Sequence, residues 1–307
     1  MFSLRRMVVV FMSMGCAGWL ALAVSAADAP ATQPAATTLL PVPKELEKDI
    51  PPARTRAEVK AVLGPAEKGK LKPLHIVLVA GPKDHGPGEH DYPAWQKAWL
   101  KLLAEAPKVK VTTAWEKPSA EDLKTADVLV LFKHFAWPKE LNEPMAAFFA
   151  RGGGMVVLHW AVDGGDNGDE VAKYLGIYWG AGAKFRHGHL DLEFADKPKE
   201  AFLRGLAGKK LHFHDEAYWR LTGDASRLDV LASDMEDDGD GKQVRVPLIW
   251  NLQSGKGRVH VNILGHYNWT FNDPLFRILV LRGIAWAADQ PIDRFGALAT
   301  AEVKLKE

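Results

Sequence analysis

The chain has 307 residues, with 39 basic against 38 acidic side chains, a formal net charge of +1 and one cysteine. So even a balance argues against a nucleic-acid partner. The cysteine, Cys16, lies in the N-terminal apolar stretch, so the rest of the chain has no disulfide, no cysteine nucleophile and no thiolate metal ligand.

Residues 1–26 read as an export signal. Arg5 and Arg6 supply the positive start, residues 7–24 the apolar run, and Val24-Ser25-Ala26 a small-residue cleavage site. The run is near the minimum spanning length, so a retained membrane anchor is the competing reading. Lipidation at Cys16 is disfavoured, because Ser13-Met14-Gly15 before it lacks the usual leucine. Loss of the two arginines with the leader moves the formal charge from +1 to −1. The expected location is periplasmic or secreted, with no stable membrane insertion once the leader is gone.

Residues 27–73 read as an Ala/Thr/Pro-rich tether carrying one short helix over 54–63, stopped by Gly64-Pro65. The folded domain is expected over 74–290, with 291–307 as a C-terminal tail. Within it, 75–80 is an apolar strand ending at Gly81, and 92–106 a helix with Trp95, Trp99, Leu102 and Leu103 on one face. Strands follow at 109–113 and 126–132, a helix at 139–150 and a strand at 155–158. The second half is richer in strands, at 188–194, 210–214, 229–233, 246–250 and 258–264. A last helix starts at Asp273-Pro274, with Phe276, Leu279, Val280, Gly283 and Ala287 on one face and Arg277 and Arg282 off it. This alternation predicts an α/β fold: a flavodoxin-like, mostly parallel sheet flanked by helices, with a strand-rich second half. The acidic run over 234–241 has hints of a calcium loop but no glutamate at the twelfth position, and reads as a solvated turn.

Histidines gather where apolar runs stop. His159 ends the run that begins at Gly152-Gly153-Gly154, and open α/β sheets bind ligands at the carboxyl ends of their strands. The loop after the first strand holds Asp84, His85, Glu89, His90 and Asp91, of which Asp91 or His90 also suits a helix cap. His134 follows the third strand, and His266 follows the last. In extended segments His187 and His189 share a side, as do His212, His214 and Glu216, with Phe213 and Asp215 opposite. Imidazoles beside carboxylates bind a divalent metal or act as an acid/base pair. No HExxH-type motif decides between them, so a divalent metal remains an open cofactor. Trp160, Trp219, Trp250 and Trp269 lie beside these clusters, where flat rings suit stacking on sugars, although core packing is the ordinary role of tryptophan. The catalytic candidates are His159, His187, Asp215 and Glu216, and the ligand-binding candidates are His85, His90, Trp160, Tyr218, Trp250 and His266. We expect His85, His134, His159 and His266 to surround one cleft, with Asp215 and Glu216 nearby. His159 should face that cleft, so that its truncation opens no core cavity.

An ordered series of segments resembles the trehalose-utilisation (ThuA-like) family over roughly residues 74–288, and that family's fold is similar to the class I glutamine amidotransferases. The carriers are His85 and His90 in the first loop, Gly152-Gly153-Gly154 through His159, Phe185 to His187, Asp215-Glu216-Ala217-Tyr218, Pro247-Leu248-Ile249-Trp250, Gly257-Arg258-Val259, Leu264-Gly265-His266 and Arg282-Gly283-Ile284-Ala285-Trp286-Ala287. Amidotransferases place a cysteine at the elbow where this chain has His159, so thiolate-dependent amide hydrolysis is not implied. The resemblance implies carbohydrate metabolism, of trehalose-like or oxidised (keto) sugars, with a small-molecule carbohydrate as partner. The leading expectation is an exported protein that acts on a glycoside or keto-sugar by histidine/carboxylate acid-base chemistry. One of His159, His187 or His214 would take a proton acidified by a neighbouring carbonyl, while Asp215 or Glu216 orients the imidazole or protonates a leaving oxygen. A metal, if bound, would stabilise the enolate-like charge. The alternatives are a non-catalytic sugar-binding module on a degenerate amidotransferase-like fold, and a metal-dependent hydrolase of ordinary glycosides or esters.

Overall fold

In the computed structural model, residues 37–63, 70–134, 137–196 and 201–307 are described. The expected leader, the first part of the tether and the Gly64-Pro65 stop lie outside them.

The apolar runs of the first half become strands β1 (Leu74–Ala80), β2 (Val109–Trp115), β3 (Val128–Phe132) and β4 (Gly154–Leu158). The second half supplies β5 (Ile177–Tyr178), β6 (Lys184–Phe194), β7 (Lys210–Trp219), β8 (Thr222–Gly223), β9 (Asp229–Asp237), β10 (Gln243–Ser254) and β11 (Gly257–Asn262). β5 and β8 form a separate ribbon, and the other nine form one sheet in the order β2-β1-β3-β4-β11-β10-β9-β6-β7. Pairing is parallel from β2 across to β11 and antiparallel from β11 to β7. All but β6 and β10 therefore point the same way, and the sheet is mostly parallel, flanked by helices. Every residue of β3 and β4 is buried, as inner parallel strands covered on both faces must be, whereas edge strand β2 has no fully buried residue.

The helices are α1 (Arg56–Leu63), α2 (Tyr92–Ala104), α3 (Ala120–Thr125), α4 (Asn142–Ala150), α5 (Gly168–Leu175), α6 (Asn268–Asn272) and α7 (Pro274–Ala287). Asp91 caps α2 by accepting from the Ala94 amide, and Asp273 caps α7 by accepting from the Leu275 amide. On α2 the expected face of Trp95, Trp99, Leu102 and Leu103 is wholly buried. Among the described residues, no helix is long and apolar enough to cross a membrane.

The structure departs from the sequence expectations in four places. Strands β6, β7, β9 and β10 are longer than their apolar cores, because hairpin partners hold polar ends such as Lys184 and Gln243 in the ladder, whereas β11 stops at Asn262, short of the expected Leu264. The domain does not begin near Leu74: Thr38 and Leu40 are buried, with their amides on Glu302 and Asn272, and Phe295 and Ala299 of the expected tail are buried too. Arg277 and Arg282 are not off the buried face of α7 but inside it. Arg277 donates to the carbonyls of Phe271, Ala301 and Thr38, and Arg282 donates to Asp293 and to the carbonyls of Phe202, Arg204 and Val62. A buried guanidinium is tolerable only with such a full set of acceptors, and these sets bind both ends of the described chain to α7. Finally, the acidic run is a turn only in its second half, since Asp234 and Glu236 are buried on β9 and pair with Arg186 of β6.

β11 packs under α7 through His260. A Cβ on Gly283 would lie 2.2 Å from His260 Cδ2, so only glycine fits there. The imidazole stacks on Phe202 at 5.0 Å and its Nδ1 lies 2.8 Å from Asn251 Oδ1. Burial pushes its pKa down to about 3, below the ~6.5 of an unfolded histidine. As pH falls, the unfolded chain takes up this proton first, so stability present above ~6.5 is lost progressively towards 3. We predict that this residue alone costs the fold on the order of 3 kcal/mol between neutrality and pH 4. Urea unfolding of His260→Gln should show a shallower dependence over that range, and an unchanged slope would refute the assignment.

Candidate functional site

Strand β4 ends at Leu158, and His159 turns the chain sharply with φ of +52°, a left-handed conformation uncommon outside glycine. Its imidazole is completely buried. His159 Nδ1 lies 2.7 Å from the carbonyl of Ile263, just past the neighbouring strand β11. His90, in the loop after β1, also has a positive φ, +40°. Its amide donates to the His266 carbonyl, and its Nε2 lies 2.8 Å from His159 Nε2. Three loops at the carboxyl ends of parallel strands thus hold one another.

The fourth contributor is β7, four places from β11 in the sheet order. Glu216 and Tyr218 are two apart and share a face of the strand. Glu216 Oε2 lies 3.1 Å from His159 Nε2 and 3.0 Å from His266 Nδ1, while its Oε1 lies 3.2 Å from His187 Nε2. The β6–β7 register puts His187 opposite Glu216 and Phe185 opposite Tyr218. The Tyr218 hydroxyl reaches both His159 Nε2 at 3.0 Å and Glu216 Oε2 at 3.2 Å. Asp215 points away from this cluster. Its carboxylate accepts from the amides of Glu216 (2.7 Å), His266 (2.9 Å) and Gly265 (3.1 Å), which fastens the loop after β11 to β7.

Burial opposes ionisation throughout, so the contacts decide the charges. Burial acts to raise the Glu216 carboxyl, but the close approach of the His159 and His266 rings outweighs it and holds Glu216 well below the usual carboxylate range. Burial acts to lower His159, and Glu216 overcomes it, so that its pKa rises. His90 and His266 are both pushed down by burial, with His159 adding to the effect. The centre therefore holds an ionised Glu216 beside His159, which is more basic than His90 and His266.

Above Glu216 lies a cavity of about 90 Å³, well over the ~10–15 Å³ that one water requires. His85, His90, Trp160, Trp179, Phe185 and His187 line it, with Glu216 and Tyr218. Two larger cavities, of about 480 and 430 Å³, lie by Phe213 and His214 against residues 39–54. They adjoin none of the Glu216 cluster, and we place the site at the smaller one because the perturbed groups converge there.

The profile of the trehalose-utilisation family, ThuA, matches residues 77–287. The chain belongs to the ThuA family. Its fold is similar to a ThuA-like protein from Parabacteroides merdae (23% identity, TM-score 0.55, covering 71% of this chain and 90% of that one). A ThuA-like protein from Bacteroides uniformis is similar too, at 20% identity and TM-score 0.56, covering 74% and 98%. A comparison with curated proteins gives no match.

In this ThuA-family chain His85, His90, His159, His187, His266, Glu216, Tyr218 and Trp160 come together. His134 stands at the rim, stacked on Trp160 at 4.1 Å with its Nε2 2.9 Å from Asp163. His214 lies apart, with its Nδ1 on the Asp49 carbonyl and its ring near Trp269 and His189. Three expectations need correcting. Trp250 does not line the cavity: its indole is fully buried and donates to the Leu175 carbonyl, because the middle of β10 lies in the core. Asp215 is committed to backbone amides and does not face the cavity. His159 lies beneath the cleft and not on its wall, so truncating it would leave a buried void. The sequence reading had missed Trp179, beside the β5–β8 ribbon, and the orienting role of Asp84, whose Oδ1 lies 3.0 Å from His90 Nδ1 and 2.9 Å from His85 Nδ1. Alternation alone shows neither, since both sit in irregular segments.

His90, His159, Glu216 and His266 each offer a ligand atom within 4.8 Å of the others, and Asp84, His85 and His90 form a second, more exposed set. For Asp215→Asn we expect a loss of about 1–3 kcal/mol, since an amide NH2 would face amide donors. Hydrogen exchange should show faster opening of the segment around Gly265 and His266; protection equal to wild type would exclude the fastening role.

Proposed function

We propose that this ThuA-family chain is an exported carbohydrate-active enzyme that acts on a keto-sugar or its glycoside by acid-base chemistry at Glu216 and His187. The observation that supports this best is the ionised Glu216 carboxylate, ringed by imidazoles, on the floor of a cavity walled by Trp160, Trp179 and Phe185. Phe185 is 55% exposed and lines the same cavity, where a ligand would cover it. Flat aromatic walls suit the apolar face of a sugar ring, and the polar floor suits its hydroxyl or carbonyl oxygens.

A carbonyl on the ring acidifies the adjacent C–H. The Glu216–His187 pair lines the cavity: the proton passes to His187, and the Glu216 carboxylate orients that ring and stabilises its charge, with His187 also bonded through Nδ1 to the Tyr267 hydroxyl at 2.8 Å. The pair then either returns the proton to carbon or, in a β-elimination, gives it to the glycosidic oxygen as the C–O bond breaks and the electron pair left on carbon forms the C=C bond of an enone. Tyr218, whose pKa burial raises well above the ordinary value, stays protonated and can donate to a developing oxyanion.

On a panel of keto-glycosides and their unoxidised parents, we expect turnover of the keto compounds. Glu216→Gln and His187→Ala should each lower kcat by roughly 10²–10⁴-fold, while Trp179→Ala should mainly raise KM. Binding with no product at any enzyme concentration would favour a sugar-binding module, and equal turnover of unoxidised glycosides would favour simple hydrolysis.

Export rests on the Arg5-Arg6 start, the apolar run and Val24-Ser25-Ala26. N-terminal sequencing of the protein expressed in a Gram-negative host should place the new terminus at Ala27, in the periplasmic fraction. Intact Met1 in the cytoplasmic fraction would contradict it.

A further inference from the structure

We propose that His90, His159, Glu216 and His266 bind one divalent first-row transition-metal cation beneath the sugar cavity. The inference deepens the reading of the same site and shares Glu216 with it, but it rests on separate observations.

The first is a conflict of lone pairs. His159 Nδ1 faces the Ile263 carbonyl, which only accepts, so that nitrogen carries a proton. His90 Nδ1 faces the Asp84 carboxylate at 3.0 Å, which also only accepts, and the Tyr92 hydroxyl nearby can donate to the other Asp84 oxygen. In the neutral form of each ring Nε2 is therefore a bare lone pair. These two Nε2 atoms lie 2.8 Å apart, and Glu216 Oε2 lies 3.1 Å from one of them. Beyond the Tyr218 hydroxyl, which lies 3.0 Å from His159 Nε2 and 3.2 Å from Glu216 Oε2 and can donate to one of them, this convergence calls for positive charge among the atoms. A single proton on His159 could serve one of these contacts at a time.

The second observation is His266. It is 1% exposed, yet neither ring nitrogen has a hydrogen-bond partner, and Nδ1 stands 3.0 Å from Glu216 Oε2 off any hydrogen-bond line. A buried nitrogen aimed at a carboxylate without bonding to it is what a shared cation would leave in the protein coordinates.

The third is the supporting shell. Metal-ligating histidines hand their other N–H to a carbonyl or carboxylate, which fixes the ring and raises its basicity. His159 has Ile263 and His90 has Asp84 in that position, while His266 Nε2 lies 3.8 Å from Glu89 Oε1. Neighbouring donors are separated by 2.8 to 3.1 Å. Adjacent ligands at right angles on bonds of about 2.1 Å stand about 3.0 Å apart, so the set leaves room for further positions on the cavity side. Three imidazoles and one carboxylate suit zinc, iron, cobalt or nickel better than magnesium or calcium, which prefer oxygen. A cation there would supply a Lewis acid to an oxygen at the cavity floor.

The test needs no sugar. The full chain, stripped with chelator, is titrated with Co2+ while the visible ligand-field spectrum is recorded, and its melting temperature is followed with Zn2+. We expect saturation at one equivalent and a rise of roughly 5–10 °C at about 100-fold excess over Kd. His266→Ala and the near-isosteric Glu216→Gln should lose the high-affinity band, whereas His214→Ala, outside the cluster, should retain it. No uptake by the wild-type protein, or a band that survives both cluster substitutions, would overturn the proposal. Because metal uptake is read without substrate, its failure leaves the acid-base reading standing, and uptake without sugar turnover defeats only that reading.

Discussion

The carboxylate of Asp215 joins two regions that the sheet order keeps apart. β7 is the far edge strand, and the loop after β11 belongs to the parallel half, yet three amide donors meet one buried side chain between them. Charge-assisted bonds to amides in a water-excluded place are among the stronger non-covalent contacts available to a protein. Through them Glu216 is brought under His159, and the His266 backbone is held where its carbonyl receives the amide of His90. The rest of the centre is arranged around that joint.

The strain in the site is concentrated where the parallel strands end. His159 and His90 both adopt left-handed backbone conformations that cost side-chain-bearing residues free energy, on the order of 1 kcal/mol each. They persist because each ring is anchored at Nδ1, by the Ile263 carbonyl for His159 and by the Asp84 carboxylate for His90. The sharp turn at His159 presents its side chain above the carboxyl end of β4. An imidazole there can hold a proton or a cation beneath the cavity lined by Trp160, Trp179 and Phe185.

Much of the scaffold was legible from residue order. Apolar runs such as 76–79 and 155–158 can only be inner strands when glycine bounds them and helical patterns alternate with them. Asp273-Pro274 marked the start of α7 through cap chemistry that operates within four residues. The misread elements share a cause. Arg277 and Arg282 look solvent-facing because charge usually is; their burial depends on carbonyls from Thr38, Val62 and Phe202, distant in sequence and invisible to periodicity. The folding of residues 37–63 and of the C-terminal segment onto α7 escaped notice for the same reason.

The histidines show the same division at the site. Their positions at strand ends follow from sequence, because a strand's carboxyl end is a local feature and open sheets bind ligands there. That His85, His159 and His266 gather was therefore foreseeable, together with Glu216 on an alternating strand, whereas His134, expected among them, stands at the rim against Trp160 and Asp163. Which of them touch was decided by tertiary structure alone: the pairing of β6 with β7 sets His187 against Glu216, while His214, two residues earlier on the same strand, falls on the far side of Tyr267. Trp250, alike in sequence context to Trp160, went to the core because its strand lies inside the sheet. Local sequence determines what each residue can do, and the long-range contacts, which no local pattern encodes, determine what it meets.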